Sequence, residues 1–265
     1  MRRSLLAIGL LLAASPVFAA MQAKPLEWKV DGQAFSGYLV YDDASAAKRP
    51  GLVMVPNWMG VTEDAITRAK AIAGDDYVVL VADVYGKGRQ PKDAGEAGNL
   101  AGSLRGEDRG PLRARIETAV ATLKAQAGIA PLDASKVGAF GFCFGGSTVL
   151  ELARAGLDVA GVVSLHGGLA PGASSRTAET IKAAVLVLNG ADDKAVPDAD
   201  ILAFEKEMDA ARADWQFVDF SGAVHCFAEP ASGNDPASNC RYDERAAKRA
   251  YRMMDDFFRE RFAAE

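Results

Sequence analysis

Cys143 lies in Gly141-Phe142-Cys143-Phe144-Gly145-Gly146, between the apolar run Val137–Phe142 and the segment Ser147–Ala153, which reads as the opening turns of a helix. Strand, sharp turn and helix in that order form a nucleophile elbow, where flanking glycines remove the β-carbons that would block the bend. A thiol at a helix N-terminus feels the positive end of the macrodipole, which favours the thiolate, the nucleophilic form. An isolated cysteine at such a junction can equally be a small buried hydrophobe. Its partners therefore decide the reading.

A general base is the first partner to seek, and the chain contains two histidines, His166 and His225. His225 stands in Ser221-Gly222-Ala223-Val224-His225-Cys226-Phe227, after the apolar run Trp215–Phe220. A base is expected on such a loop. His166, in Ser164-Leu165-His166-Gly167-Gly168, reads as a pocket wall touching substrate or as a satisfied structural histidine. For the third member, the run ending at Leu188 enters Asn189-Gly190-Ala191-Asp192-Asp193-Lys194-Ala195-Val196-Pro197. Asp193 is preferred there, with Asp192 as a solvated or turn-forming neighbour. The order nucleophile, acid, histidine is that of α/β-hydrolases.

The elements that must carry these loops follow from the pattern. Leu26–Val30 and Phe35–Tyr41 flank Asp31-Gly32 as an opening hairpin. Residues 51–56, 77–82, 159–165 and 184–188 are continuous apolar runs, as expected of strands buried on both faces. Helices are expected from a cap at Thr62 to Ala73, over 108–127, from about Asp198 to Ala211, and from Glu244 to Phe262. Such alternation implies an α/β fold, a mostly parallel central sheet with helices on both faces. Reactive groups then belong on loops beyond the carboxyl ends of the strands.

Of the 265 residues, 49% are hydrophobic and 25% charged, enough for one sizeable core. The net charge of -5 gives no broad basic surface, so nucleic acid is not an expected partner. Met1-Arg2-Arg3, the apolar run Leu5–Ala14 and Val17-Phe18-Ala19 have the form of a signal peptide over 1–19. A single domain over 20–265 is expected after its removal, with no membrane association. Export implies an oxidising compartment, the periplasm or the exterior, and there Cys226 and Cys240 are expected to form a disulfide. No cysteine and histidine spacing suits a tetrahedral metal site, and neither metal nor cofactor is expected.

The elbow, the Gly190–Pro197 loop and Gly222–Phe227 together resemble the dienelactone hydrolase family of α/β-hydrolases, from about the first buried strand to the C-terminus. The resemblance implies a carboxylic ester or lactone hydrolase, of the carboxymethylenebutenolidase type, acting on a small molecule. It implies a triad in which Cys143 attacks, His225 manages the proton and Asp193 orients His225. The expected oxyanion donors are the backbone N–H groups of Phe144 and Trp58.

The chain departs from the family at one place. Where the family resembles Glu-x-x-Gly after the first buried strand, this chain has Asn57-Trp58-Met59-Gly60. Asn57 can meet substrate but cannot accept a proton. Arg89, in Tyr85-Gly86-Lys87-Gly88-Arg89, is similar to the family's substrate-carboxylate arginine, and reads equally as a solvated loop residue. The missing glutamate leaves a second function class open, a non-hydrolytic binding or thiol redox-sensing protein on a hydrolase scaffold. A monomer is expected in either case.

Overall fold

A computed structural model of the chain describes residues 21–106, 109–172 and 177–263. The expected signal peptide, and residue 108 at the start of one expected helix, lie outside these. The first hairpin pairs β1 (Met21–Val30) with β2 (Gln33–Asp42) antiparallel. Its turn residues Asp31 and Gly32 have φ of 48° and 80°, the left-handed pair that a two-residue hairpin turn demands.

The chain continues as β3 (Arg49–Val55), α1 (Glu63–Ala73), β4 (Val78–Val81), α2 (Ala94–Leu104) and α3 (Gly110–Lys124). Then come β5 (Leu132–Phe142), α4 (Phe144–Arg154), β6 (Gly161–Leu165), β7 (Ala184–Gly190), α5 (Asp198–Ala210), β8 (Trp215–Phe220) and α6 (Glu244–Ala263). Among the described residues these strands make one eight-stranded sheet in the order β1-β2-β4-β3-β5-β6-β7-β8. From β4 to β8 every neighbouring pair is parallel. The expected α/β class is therefore the observed one.

Alternation along the central strands divides the core into two layers. Val53 and Val55 face one layer with Ile116 of α3 and Val149 of α4; Leu52 and Met54 face the other with Ala69 of α1 and Phe258 of α6. Both faces of the sheet are thus covered, which is why its strands are apolar throughout rather than alternating with polar residues. Thr62 caps α1 by accepting the Ala65 N–H at 3.1 Å, and Gly74 at φ 44° ends it.

Two elements differ from expectation. Helix α2 is not signalled by its sequence, because Gly95, Gly98 and Gly102 lower its intrinsic propensity. It is held by an Asp93 cap on the Glu96 N–H and by burial of Ala97 and Ala101. Helix α4 begins at Phe144, directly after Cys143, so Gly145 and Gly146 lie in its first turn instead of preceding it.

Helix α4 is anchored by ions as well as by packing. Glu151, wholly buried, accepts from Arg109 at 3.0 Å, Arg113 at 2.9 Å and Arg154 at 3.1 Å. A buried carboxylate is tolerable when charged donors surround it; Arg154 is held in addition by Glu207, through Nε at 2.9 Å and Nη2 at 2.8 Å.

Candidate active site

The elbow is built by close approach. A β-carbon on Gly141 would lie 2.3 Å from the Gly145 backbone, and one on Gly145 would lie 2.0 Å from the Val55 carbonyl oxygen. Neither position can hold a larger residue while β5, α4 and the end of β3 meet as they do. Cys143, between them, has φ 51° and ψ -114°, a conformation that a residue with a side chain adopts at some energetic cost. That geometry lifts Sγ clear of the sheet and leaves Cys143 partly exposed.

His225 meets this thiol from the loop after β8. Its Nε2 is 3.0 Å from Cys143 Sγ, and its Nδ1 is 2.7 Å from Asp193 Oδ2, on the loop after β7. Three residues far apart in the chain are adjacent because β5, β6, β7 and β8 lie side by side with the same polarity. Asp193 is buried and its second oxygen is also satisfied, by the Ala195 N–H at 2.8 Å and the Asn239 amide at 3.2 Å. Asp192 is exposed, so of the two adjacent carboxylates Asp193 faces the imidazole.

The electrostatics follow from that arrangement. Burial disfavours the charged His225 ring, but its hydrogen bonds to Asp193 and Cys143 and their negative charges outweigh burial and push its pKa up to about 10. Burial likewise pushes the Asp193 carboxyl up, and the hydrogen bond and charge of His225 bring the net shift below the ordinary carboxylate range. The geometry favours a His225 cation held between the Asp193 carboxylate and Cys143 Sγ.

The Cys226–Cys240 disulfide expected from the sequence is present, with a sequence separation of 14. It lies directly beside His225, whose carbonyl accepts the Arg241 N–H at 3.1 Å. Asn239, next to Cys240, both donates to Asp193 and accepts the Lys194 N–H at 3.1 Å. The bridge therefore ties the His225 loop to the Asp193 loop. Sequence reading missed Asn239, which carries no local signal.

Phe144 is the first residue of α4, so its N–H has no acceptor within the helix. Its ring is stacked on Tyr85 at 5.6 Å, and Arg105 lies 5.3 Å from the same ring. Trp58 lines a pocket of about 360 Å³ together with Asn57, Met59, Cys143, Cys226, Glu229 and Cys240. Arg89 is exposed and not among those lining residues; it closes a turn onto the Gly86 carbonyl, and the arginine beside the elbow is Arg105.

His166 is not a solvent-facing pocket wall. It is wholly buried behind Cys143, and its Nδ1 accepts the Cys143 backbone N–H at 3.2 Å, a donor shared with the Leu165 carbonyl at 3.0 Å. Its ring proton is therefore on Nε2, which has no hydrogen-bond partner among the described residues. Burial, then the charges of His225 and Arg68, lower its pKa well below the ordinary imidazole value and keep it neutral.

Asn57 has an environment the sequence did not reveal. Its amide donates to Glu229 Oε1 at 2.7 Å, and Glu229 is 1% exposed. Arg68 of α1, also buried, donates to the same oxygen at 2.6 Å. A larger cavity of about 590 Å³, between α1 and α6, contains none of Cys143, His225 and Asp193. Among the described residues no group of three or more histidine, cysteine, aspartate or glutamate side chains could hold a metal ion, and no helix is long and apolar enough to cross a membrane.

A parallel sheet whose central strand turns sharply through a cysteine into a helix, with acid and histidine following on successive strand ends, defines an α/β-hydrolase. The chain belongs to the dienelactone hydrolase family, whose family model matches residues 35–262. It is 34% identical to the solved structure of m3DLH, covering 92% of this chain and 99% of that one, with a TM-score of 0.84. A dienelactone hydrolase-like promiscuous phosphotriesterase from metagenomic libraries is also 34% identical over 92% of this chain and 99% of its own, with a TM-score of 0.82. An uncharacterized protein of Caenorhabditis elegans is 35% identical over 155 residues, 58% of this chain and 96% of its own length.

Proposed function

We propose that the protein hydrolyses carboxylic esters or lactones through a thioester on Cys143, with His225 moving the proton and Asp193 orienting His225. One observation carries this reading: His225 bridges Asp193 Oδ2 at 2.7 Å and Cys143 Sγ at 3.0 Å. Family membership supports a small ester or lactone as substrate.

The steps follow from the charges. A His225 ring whose pKa is pushed up to about 10 is cationic at neutral pH, and its charge supports the thiolate form of Cys143 as attack begins. Sγ adds to the carbonyl carbon, the C=O π pair moves onto oxygen, and the N–H groups of Phe144 and Trp58 hold the oxyanion. Each such donor is worth about 3 kcal/mol. Collapse breaks the ester C–O bond, and His225 gives its proton to the departing alkoxide. The sulfur is then a neutral thioester, so the imidazole has lost one of the charges that raised its pKa. It now acts as the base that takes a proton from water, and hydroxide addition releases the acid and restores the ion pair. Amides fit this scheme less well, since thiolate is expelled from the tetrahedral adduct more readily than an amine.

Under the thiol-sensor reading, an intramolecular disulfide at Cys143 would need a resolving cysteine, and the other two cysteines are joined to each other. The proposed setting is the periplasm or exterior after removal of residues 1–19, acting as a monomer. The deciding experiment mixes purified protein with p-nitrophenyl acetate, a lactone panel and paraoxon, the last because a relative is described as a phosphotriesterase. An acetyl adduct on Cys143 in the mass spectrum, absent in Cys143→Ala, supports the reading. Hydrolysis at the wild-type rate by Cys143→Ala and His225→Ala would sink it.

A further inference from the structure

We propose that Glu229 is a positioning residue that clamps the Asn57–Gly60 loop, and with it the Trp58 N–H, against the nucleophile. The inference rests on the hydrolase reading. Glu229 is 1% exposed yet lines the pocket that holds Cys143. Its Oε1 accepts from the Asn57 amide at 2.7 Å and from Arg68 at 2.6 Å, and its Oε2 is 3.8 Å from His166 Nε2.

These residues come from four separate segments, each next to a working part. Asn57 opens the loop that carries Trp58. Arg68 is on α1, which that loop leads into. His166 backs the Cys143 peptide, and Glu229 itself lies four residues beyond His225.

Asn57 is held at both ends of its amide. Its nitrogen donates to Glu229, and its oxygen accepts the Met59 N–H at 3.0 Å. Swapping the two atoms would set an oxygen against the carboxylate and a nitrogen against an N–H, so the amide orientation is unique. Its carbonyl also accepts the Gly60 N–H at 2.9 Å. The peptide between Asn57 and Met59, which bears the Trp58 N–H, therefore cannot rotate without breaking the clamp. Arg68, itself 8% exposed, is paired with the carboxylate. The same anion faces the Nε2 proton of the neutral His166 and favours that tautomer behind Cys143.

A clamp on the oxyanion loop has a signature that general loss of structure does not. Alkylation of Cys143 by iodoacetamide reads the thiolate and its His225 partner, and needs no oxyanion donor. Reversible addition of butyraldehyde reads the donors: the Sγ–C bond forms, the C=O π pair moves to oxygen, and that oxygen sits where the ester oxyanion would. In Glu229→Gln the remaining oxygen can still accept from both donors, but the charge that pairs with Arg68 is gone and the new NH2 group meets the Nε2–H of His166, so the clamp is weakened. Aldehyde affinity and the rate of acylation by p-nitrophenyl acetate are expected to fall 10- to 100-fold, with alkylation within twofold of wild type. Asn57→Ala, which leaves the Glu229–Arg68 pair intact, is expected to show the same split and serves if Glu229→Gln does not fold. Alkylation falling as far as aldehyde binding, or a folded variant with neither changed, would overturn the proposal. If wild type turns over no ester but the alkylation-to-aldehyde split appears, the clamp stands and the hydrolase reading fails; ester turnover without the split gives the reverse.

Discussion

Nε2 of His225 stands 3.0 Å from Sγ of Cys143 although 82 residues separate them in the chain. Two residues that meet so closely across the open end of the sheet act as one unit. Replacing either with alanine is expected to cut ester kcat by about 10³-fold or more, and the double variant should be no slower than the worse single one. Additive losses in steady-state kinetics would count against a shared role.

The pH dependence has a definite direction. His225 titrates near 6.5 when unfolded and near 10 in the fold, so the folded state binds its proton more tightly. The stability it contributes is complete below about pH 6.5 and is lost as the pH rises through about 10. Thermal melts should show wild type losing more stability than His225→Ala between pH 8 and 10.5. The kcat/KM profile should fall on its alkaline side near pH 10, and Asp193→Asn should move that limb to lower pH, because Asp193 is among the groups that raise the pKa.

The disulfide should matter to stability and to turnover together. Opening a loop of this size costs about 3 kcal/mol in the chain-entropy model. For a chain of this length that lowers Tm by about 5–10 °C. Cys226→Ser with Cys240→Ser should show this by calorimetry. Its kcat should drop as well, since the bridge holds Asn239 on Asp193 and the backbone of His225.

Gly145→Ala tests the packing of the elbow. Its new methyl would lie 2.0 Å from the Val55 carbonyl and 2.4 Å from that of Pro56, backbone atoms that cannot step aside. Chemical denaturation should show a loss of about 3 kcal/mol, at the upper end of what overpacking costs. A variant as stable as wild type would mean that α4 can slide on β3.

The ion cluster under α4 should be costly to break from one side. Glu151→Leu takes from Arg109, Arg113 and Arg154 the buried carboxylate they share, while Arg154 keeps Glu207 and the Leu169 carbonyl, with an expected loss of about 3 kcal/mol. Urea titration of the purified variant measures it.

Much of this protein is legible along the chain. The buried strands, the Thr62 cap, the hairpin turn at Asp31-Gly32 and the cysteine elbow each depend on residues within a few positions of one another. With two histidines in the whole sequence and one on a loop after the last strand, the identity of the group facing Cys143 could be reasoned out, and so could the Cys226–Cys240 bridge. Helix α2 escaped because three glycines oppose it locally while the burial of Ala97 and Ala101 favours it only in the folded state.

The tertiary structure alone decided what surrounds those groups. That Asn57 takes its partner from Glu229, 172 residues away, depends on which strand ends lie side by side, and no periodicity encodes it. The same holds for His166, which the sequence places after a strand like any site residue and the fold seals behind Cys143. Hydrophobic patterning specifies which faces are buried. Which buried charges then meet is set by strand order and loop path, and in a low-dielectric interior an ion or a hydrogen-bonding group must find its partner wherever the fold brings one.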